Sequence, residues 1–216
     1  MIHTPDTTGS RRDLRDITLD AVDRLLARYG YQKMTMDDVA REAGISKRTI
    51  YLQFVNKEEV ALSSIDRVVA RLLDQLREVA QTAQTPDEKL RQMLRTRVLF
   101  RFDTVQPYYQ SFDALFAALR PAYLARRERY FAEEATLFAS VLEEGARLEL
   151  FTCGDAFQTA QTLLLATNAL LPYSLSAREL GAREEIERKI DAIAELLLNG
   201  VRSCQGRETR VPIPGP

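Results

Sequence analysis

The sequence has few of the side chains from which catalytic and metal sites are built. Its 216 residues include one histidine, two cysteines and no tryptophan. His3 lies near the start of the chain, and Cys153 and Cys204 do not have the spacing of metal ligands. This pattern argues against a zinc site, a haem site and a Ser/His/Asp triad. The cysteines fit two unpaired thiols in a reducing cytoplasm, and a redox pair is the open alternative.

Other features of an enzyme or a membrane protein are also missing. The nine glycines are scattered, so there is no glycine-rich phosphate loop, and adjacent acids such as Glu133 and Glu134 do not face each other on a helix. No apolar run approaches the ~18 residues that a membrane helix needs, and residues 1–16 lack the apolar segment of a signal peptide. We therefore expect a cytoplasmic protein that is not an enzyme, requires no metal or cofactor and does not bind membranes.

Apolar residues recur at helical spacing along most of the chain, and no sustained alternation indicates a sheet. The pattern predicts an all-α fold of about nine helices. The predicted helices are 13–29, 36–43, 47–54, 57–84, 86–105, 108–119, 121–148, 155–171 and 183–202, where Pro86, Pro107 and Pro121 each begin one. The predicted domains are a disordered start at 1–10, a DNA-binding domain at 11–56, a ligand-binding and dimerisation domain at 57–202 and a mobile tail at 203–216.

The stretch from Thr35 to Lys57 predicts two short helices joined by a tight turn. Thr35 and Asp38 have the spacing of a capping box, and Gly44 suits the left-handed conformation that ends a helix. Ser46 then caps a second helix, residues 47–54, in which two apolar residues four apart, Ile50 and Phe54, face inward. The polar and basic side chains of this helix remain outside, as a helix-turn-helix requires.

The net charge of the chain is −1, so any binding to nucleic acid must depend on a local patch. Lys47 and Arg48 lie in the first helical turn, where acids are normally preferred, and no acidic residue occurs between Gly44 and Lys57. A polyanion can supply this missing negative charge, whereas the alternative is an ordinary solvated basic face. Arg11, Arg12 and Arg15 are either a solvated helix start or an arm that reaches DNA.

Residues 40–60, with the sequence AREAGISKRTIYLQFVNKEEV, resemble the signature of the TetR family of bacterial transcriptional regulators. The resemblance covers residues 13–65 and departs from the family pattern at Gln53, where histidine or tyrosine is common. It implies a homodimer that binds a palindromic operator through helix 46–54, most simply as a repressor. The residues expected to contact DNA are Thr35, Ser46, Lys47, Arg48, Thr49, Tyr51, Gln53 and Lys57.

The C-terminal part predicts an interface and a binding pocket. The helices at 155–171 and 183–202 are apolar on more than one face, which is explained either by burial within one subunit or by a two-fold interface. The resemblance favours the interface, and it also implies a small-molecule effector among the central helices. The candidate ligand-binding residues combine aromatic and arginine side chains: Arg97, Phe100, Arg101, Tyr108, Tyr109, Phe112, Phe116 and Tyr130. An arginine here can instead form a structural ion pair, and the alternative function is a helical DNA-organising protein that binds no ligand.

Overall fold

The structure is a computed structural model that describes residues 7–107, 112–172, 179 and 181–202. Within these residues the fold is all-α, and the only bridge between extended segments joins Phe151 to Arg202. The helices are α1 (Thr7–Lys33), α2 (Met36–Ala43), α3 (Lys47–Tyr51), α4 (Lys57–Ala80), α5 (Pro86–Val105), α6 (Phe112–Arg147), α7 (Ala156–Thr167) and α8 (Arg183–Val201), with a 3-10 turn at Asn168–Leu170. None of these helices is long and apolar enough to cross a membrane.

Helix α1 begins earlier and ends later than the sequence predicts. It starts at Thr7, so residues 7–10 are helical although we expected them to be disordered. Gly30 interrupts it with φ 72° and ψ 168°, a backbone conformation that side chains with a Cβ rarely adopt. The prediction that Gly30 ends the main helix is therefore confirmed, and one further turn follows it.

Helix α4 contributes to two separate hydrophobic cores. Near its start, Val60 and Leu62 are buried with α1, α2 and α3 in an N-terminal core that also contains Phe54. Farther along, Leu72 and Leu76 are buried in a larger core with α5, α6, α7 and α8. The expectation that this helix belongs to both halves of the protein is confirmed.

Helix α6 is one continuous helix where the sequence predicts two. Pro121 lies inside it and does not begin a new helix, because φ of proline is compatible with a helix and only one backbone hydrogen bond is lost there. Merging 108–119 with 121–148 leaves eight α-helices in the described residues. Before Pro121, the buried side chains of Leu115 and Leu119 pack into the N-terminal core, so α6 also contacts both halves.

Helices α5 and α8 are held together by ion pairs along their length. Arg91 binds Glu195 of α8 at 2.6 Å, and Arg95 binds Asp191. At the two ends, Arg183 binds Asp103 at 3.0 Å and Arg202 binds Asp87 at 2.8 Å. These pairs flank an apolar seam that includes Ile186, Ile190, Ala194 and Leu198, all fully buried. The side of α8 that faces α5 is therefore occupied within one subunit.

Candidate DNA interface

The turn between α2 and α3 has the capping geometry that its sequence predicts. The Thr35 hydroxyl accepts a hydrogen bond from the backbone N–H of Asp38, whose carboxylate accepts the backbone N–H of Thr35 in return. Gly44 ends α2 in the left-handed conformation, with φ 68°. The Ser46 hydroxyl then accepts the backbone N–H of Thr49 at 3.0 Å and begins α3. These local bonds fix where α3 leaves the domain.

Two buried side chains fix the rotation of α3 about its own axis. Ile50 and Phe54 are 0% and 1% exposed and anchor α3 in the N-terminal core. The regular helix ends at Tyr51 and not at residue 54, but the backbone N–H of Phe54 still bonds to the Ile50 carbonyl at 2.9 Å. The opposite side of α3 is consequently directed away from the protein. Arg48 lies on that side and is exposed.

The two basic residues in the first turn of α3 have different surroundings. The residues next to Lys47 in the sequence suggest that it lacks an acidic partner. In the structure, however, its ammonium lies 2.8 Å from the Asp37 carboxylate of α2. This hydrogen-bonded pair raises the pKa of Lys47. Arg48 makes no ion pair within the described residues, and its guanidinium is exposed. Arg48 is therefore the cation of α3 that can bind an external anion without first losing an internal partner.

Lys57, at the start of α4, is partly engaged inside the domain. Its ammonium lies 4.4 Å from the centre of the Tyr31 ring and donates to the Gln32 carbonyl at 3.3 Å. Burial lowers the pKa of Lys57. The capping residue before it, Asn56, accepts the backbone N–H of Glu59 at 2.8 Å.

The remaining candidate DNA-binding residues differ in exposure. Thr35 and Ser46 are exposed, and the Ser46 and Thr49 hydroxyls share a hydrogen bond of 2.7 Å. The Tyr51 side chain is 46% exposed. Gln53 is half-buried, and its buried amide oxygen has no hydrogen-bond partner among the described residues. Their assignment to DNA binding stays a prediction.

Arg15 has a structural role near the same surface. Its guanidinium lies 4.5 Å from the centre of the Phe54 ring and donates to the Ser63 hydroxyl at 3.0 Å. This contact connects α1 to the residue that anchors α3. The side chains of Arg11 and Arg12 lie outside the described residues.

The candidate ligand-binding arginines form a buried network of hydrogen bonds and ion pairs. Arg97 is 1% exposed and donates to Glu134 at 2.6 Å, to the Thr167 hydroxyl at 2.8 Å and to the Asn168 side chain at 2.8 Å. Arg101 binds the other carboxylate oxygen of Glu134. Burial alone would raise the pKa of Glu134, but the charges of Arg101 and Arg97 outweigh it and hold that pKa below its ordinary range. This network has the geometry of a structural ion pair, which the sequence analysis gave as the alternative to ligand binding by these arginines.

The structure does not bring the other candidate ligand-binding residues together. Phe100 lines a surface groove of about 580 Å³ between α4, α5 and α8. Tyr130 donates its hydroxyl proton to Asp66 of α4, and burial together with this bond raises its pKa. Tyr108 and Tyr109 lie outside the described residues, as do the side chains of Phe112 and Phe116. Among the described residues, no group of three or more histidine, cysteine or acidic side chains is placed to hold a metal ion.

Two exposed apolar residues beside α3 were missed by sequence reasoning. Leu52 is 77% exposed and Val55 is 80% exposed. The signal was available, because Leu52 lies four residues after Arg48 and therefore on the same side of the helix. The sequence analysis assigned that side of the helix to polar and basic residues only.

Comparison with known proteins finds a family resemblance in the N-terminal part of the chain. Residues 19–63 match the model of the bacterial regulatory proteins of the tetR family. In this N-terminal segment the chain is similar to regulators of the tetR family.

Individual relatives resemble the chain to different extents. The HTH-type transcriptional regulator AlkX of Mycobacterium tuberculosis is 41% identical over 70 residues, which are 32% of this chain and 33% of AlkX. The chain thus spans about a third of this relative's length. A transcriptional regulator from Cytophaga hutchinsonii has the same fold, with a TM-score of 0.71 and 18% identity over 87% of this chain and 98% of its own. The fatty acid degradation regulator FadR from Bacillus halodurans has a TM-score of 0.62, with 21% identity over 87% of this chain and 99% of its own.

The contrast between Lys47 and Arg48 can be measured by mutation. We expect Arg48→Ala to weaken binding to a preferred duplex by about 1–3 kcal/mol and to relax sequence preference, because arginine can donate two bonds to guanine O6 and N7. Lys47→Ala is the matched variant and should cost less, since binding through Lys47 requires loss of its bond to Asp37. Fluorescence anisotropy titrations on cognate and scrambled duplexes measure both effects. Equal losses for the two variants would contradict this assignment.

The buried network predicts a large effect on stability. Arg97→Ala should lower the free energy of unfolding by about 3 kcal/mol or more, because it leaves the Glu134 charge with one fewer partner in the core. Arg183→Ala, which removes a pair on the surface, should shift the denaturation midpoint far less. Urea denaturation followed by circular dichroism measures both changes.

A pH series checks the physical reason for this effect. Because the folded pKa of Glu134 is depressed, its stabilising contribution is present above the ordinary glutamate pKa and is lost as pH falls through the folded pKa. The difference between wild type and Arg97→Ala should therefore shrink in that acidic range. A difference that stays constant with pH would assign the loss to packing and not to the charge of Glu134.

Proposed function

We propose that the chain is a DNA-binding transcriptional regulator that acts as a homodimer on a palindromic operator in the bacterial cytoplasm. The observation that carries this proposal is the orientation of α3. Two buried anchors, Ile50 and Phe54, direct the opposite side of this helix outward, and that side presents an exposed Arg48 with no internal ion pair in the described residues. An outward helix after a capped turn is the arrangement by which a helix-turn-helix enters the major groove.

Binding to duplex DNA should depend strongly on salt. If each subunit neutralises several phosphates, we expect the affinity to fall by about 10³ between low and moderate salt, because condensed counterions are released on binding. Fluorescence anisotropy with a labelled duplex selected from a random pool measures this slope. The proposal would be contradicted if the protein selects no duplex from the random pool, or if its affinity for the selected duplex does not change with salt.

The outer faces of α7 and α8 support the homodimer. Helix α7 contains no charged residue, and its outer face carries Phe157 and Leu165, which are 39% and 59% exposed. On α8, Leu196 is 75% exposed, whereas the opposite side of this helix is buried against α5. Exposed apolar side chains on two adjacent helices suit a four-helix arrangement with a second copy of the chain.

A charge placed on this face should prevent assembly. We expect Leu196→Glu to convert the dimer to a monomer at micromolar concentration, because a carboxylate would be buried without a partner in the interface. Leu124→Glu is the control, since Leu124 is also exposed, at 44%, but lies on α6. Light scattering distinguishes the two states. A monomeric wild-type protein, or a Leu196→Glu variant that remains dimeric, would contradict this interface.

We propose that a small-molecule effector binds in the C-terminal half and releases the operator, so that the regulator is a repressor. The groove between α4, α5 and α8 supports this proposal, because it combines apolar Leu99 and Phe100 with polar Gln75 and Thr96. A ligand there would contact α4, whose first turn follows α3, the recognition helix of the proposed DNA interface. Such a ligand changes DNA affinity only if it binds the two shapes of the protein unequally.

Contacts between α4 and α6 support a mechanical connection between the two halves. Arg126 of α6 donates to Glu59 of α4 at 2.7 Å and also binds Asp66, which accepts the Tyr130 hydroxyl. A displacement of α4 or α6 would therefore be transmitted to the N-terminal domain. Operators with two half-sites require a fixed spacing of ~34–36 Å between recognition helices, so a small tilt can abolish binding.

A further inference from the structure

Leu52 lies on the face of the recognition helix α3 that is opposite the buried Ile50. Two residues of α-helix rotate about 200°, so positions 48 and 52, each two residues from Ile50, point away from the buried side. The helical path extends to Leu52, which has φ −71° and ψ −19° and bonds its N–H to the Arg48 carbonyl. Leu52 and Arg48 therefore lie one turn apart on the face directed away from the core.

The described residues leave most of the Leu52 side chain uncovered. At 77% exposed, its side chain is almost fully hydrated, while Ile50 on the opposite side is fully buried. A single exposed leucine is ordinary on a protein surface. This one, however, is continuous with Arg48 on the face that the proposed function assigns to the major groove. Insertion of α3 into the groove must therefore desolvate Leu52 along with Arg48.

The chemistry of the major groove limits what can accept this side chain. The edges of adenine, guanine and cytosine present hydrogen-bond donors and acceptors there, whereas the C5 methyl of thymine is the apolar group. A leucine cannot form hydrogen bonds with the first three, and it would bury their polar atoms without compensation. Contact with a thymine methyl instead removes apolar surface of both partners from water.

We propose that Leu52 is a specificity-determining residue that contacts a thymine methyl group in each operator half-site. This inference rests on the proposed DNA-binding function and adds an apolar contact to the polar readout by Arg48. Since Leu52 follows Arg48 by one helical turn, the selected thymine lies near the base that Arg48 contacts. Val55 is equally exposed but lies in the bend before α4, beyond the helical path, and is not part of this contact.

The test removes the methyl group from the DNA and the side chain from the protein. Full-length wild-type protein first selects a duplex from a random pool, and each thymine of the selected half-site is then replaced by uracil. We expect one such replacement to weaken binding by about fourfold per half-site, the effect of one buried methyl. In Leu52→Ala, the same replacement should change affinity by less than about twofold.

Three control variants separate this contact from general effects. Leu52→Met retains an apolar side chain and should keep the uracil effect. Val55→Ala shortens a side chain of comparable exposure and should also keep it. Leu52→Gln should lose it while keeping the length of the side chain. Circular dichroism and light scattering on each variant establish that fold and assembly are unchanged.

The outcomes distinguish this inference from the function on which it rests. A wild-type protein that enriches no duplex overturns the proposed function and this inference together. A selected duplex with no thymine whose methyl affects affinity overturns this inference alone. The same holds if wild type and Leu52→Ala lose equal affinity with uracil. Selective loss of the uracil effect in Leu52→Ala and Leu52→Gln supports the thymine contact.

Discussion

The shared helix α4 is the constraint on which the arrangement of the two halves depends. Its first turns supply Val60 and Leu62 to the core that anchors the recognition helix, and its later turns supply Leu72 and Leu76 to the larger core. A helix packed at both ends cannot rotate or slide at one end alone without opening apolar surface at the other. The position of α3 is therefore coupled to the packing of the C-terminal helices by burial itself.

Charged side chains differ in number and in pairing between the surfaces of this molecule. The seam between α5 and α8 carries complementary arginines and acids that satisfy each other within the subunit. Helix α7 carries no charge at all. On the recognition helix, Lys47 is paired with Asp37 and Arg48 is not paired within the described residues. Because the whole chain carries a net charge of −1, any attraction to DNA must depend on such a local cation.

The features that could be predicted from sequence are those set by neighbours in the chain. The caps at Thr35, Ser46 and Asn56 each involve a partner three residues away, and Gly44 ends its helix for a reason local to its own backbone. The Lys47–Asp37 pair could not be inferred, because it depends on the angle between two helices. The same applies to Arg97 and Glu134, which are 37 residues apart in the chain. Pro121 was misassigned because a proline can begin a helix or lie within one.

Pro121 also affects the elasticity of α6. Proline has no N–H to donate, so the carbonyl of Ala117 lacks its usual partner and the helix is less stiff at this point than on either side. Leu115 and Leu119, before the proline, are buried with the N-terminal core, while Arg126 and Tyr130, after it, hold Asp66 of α4. Pro121 thus lies between these two sets of contacts. A bend of α6 at this point would change the angle between the segment packed in the N-terminal core and the segment bound to Asp66.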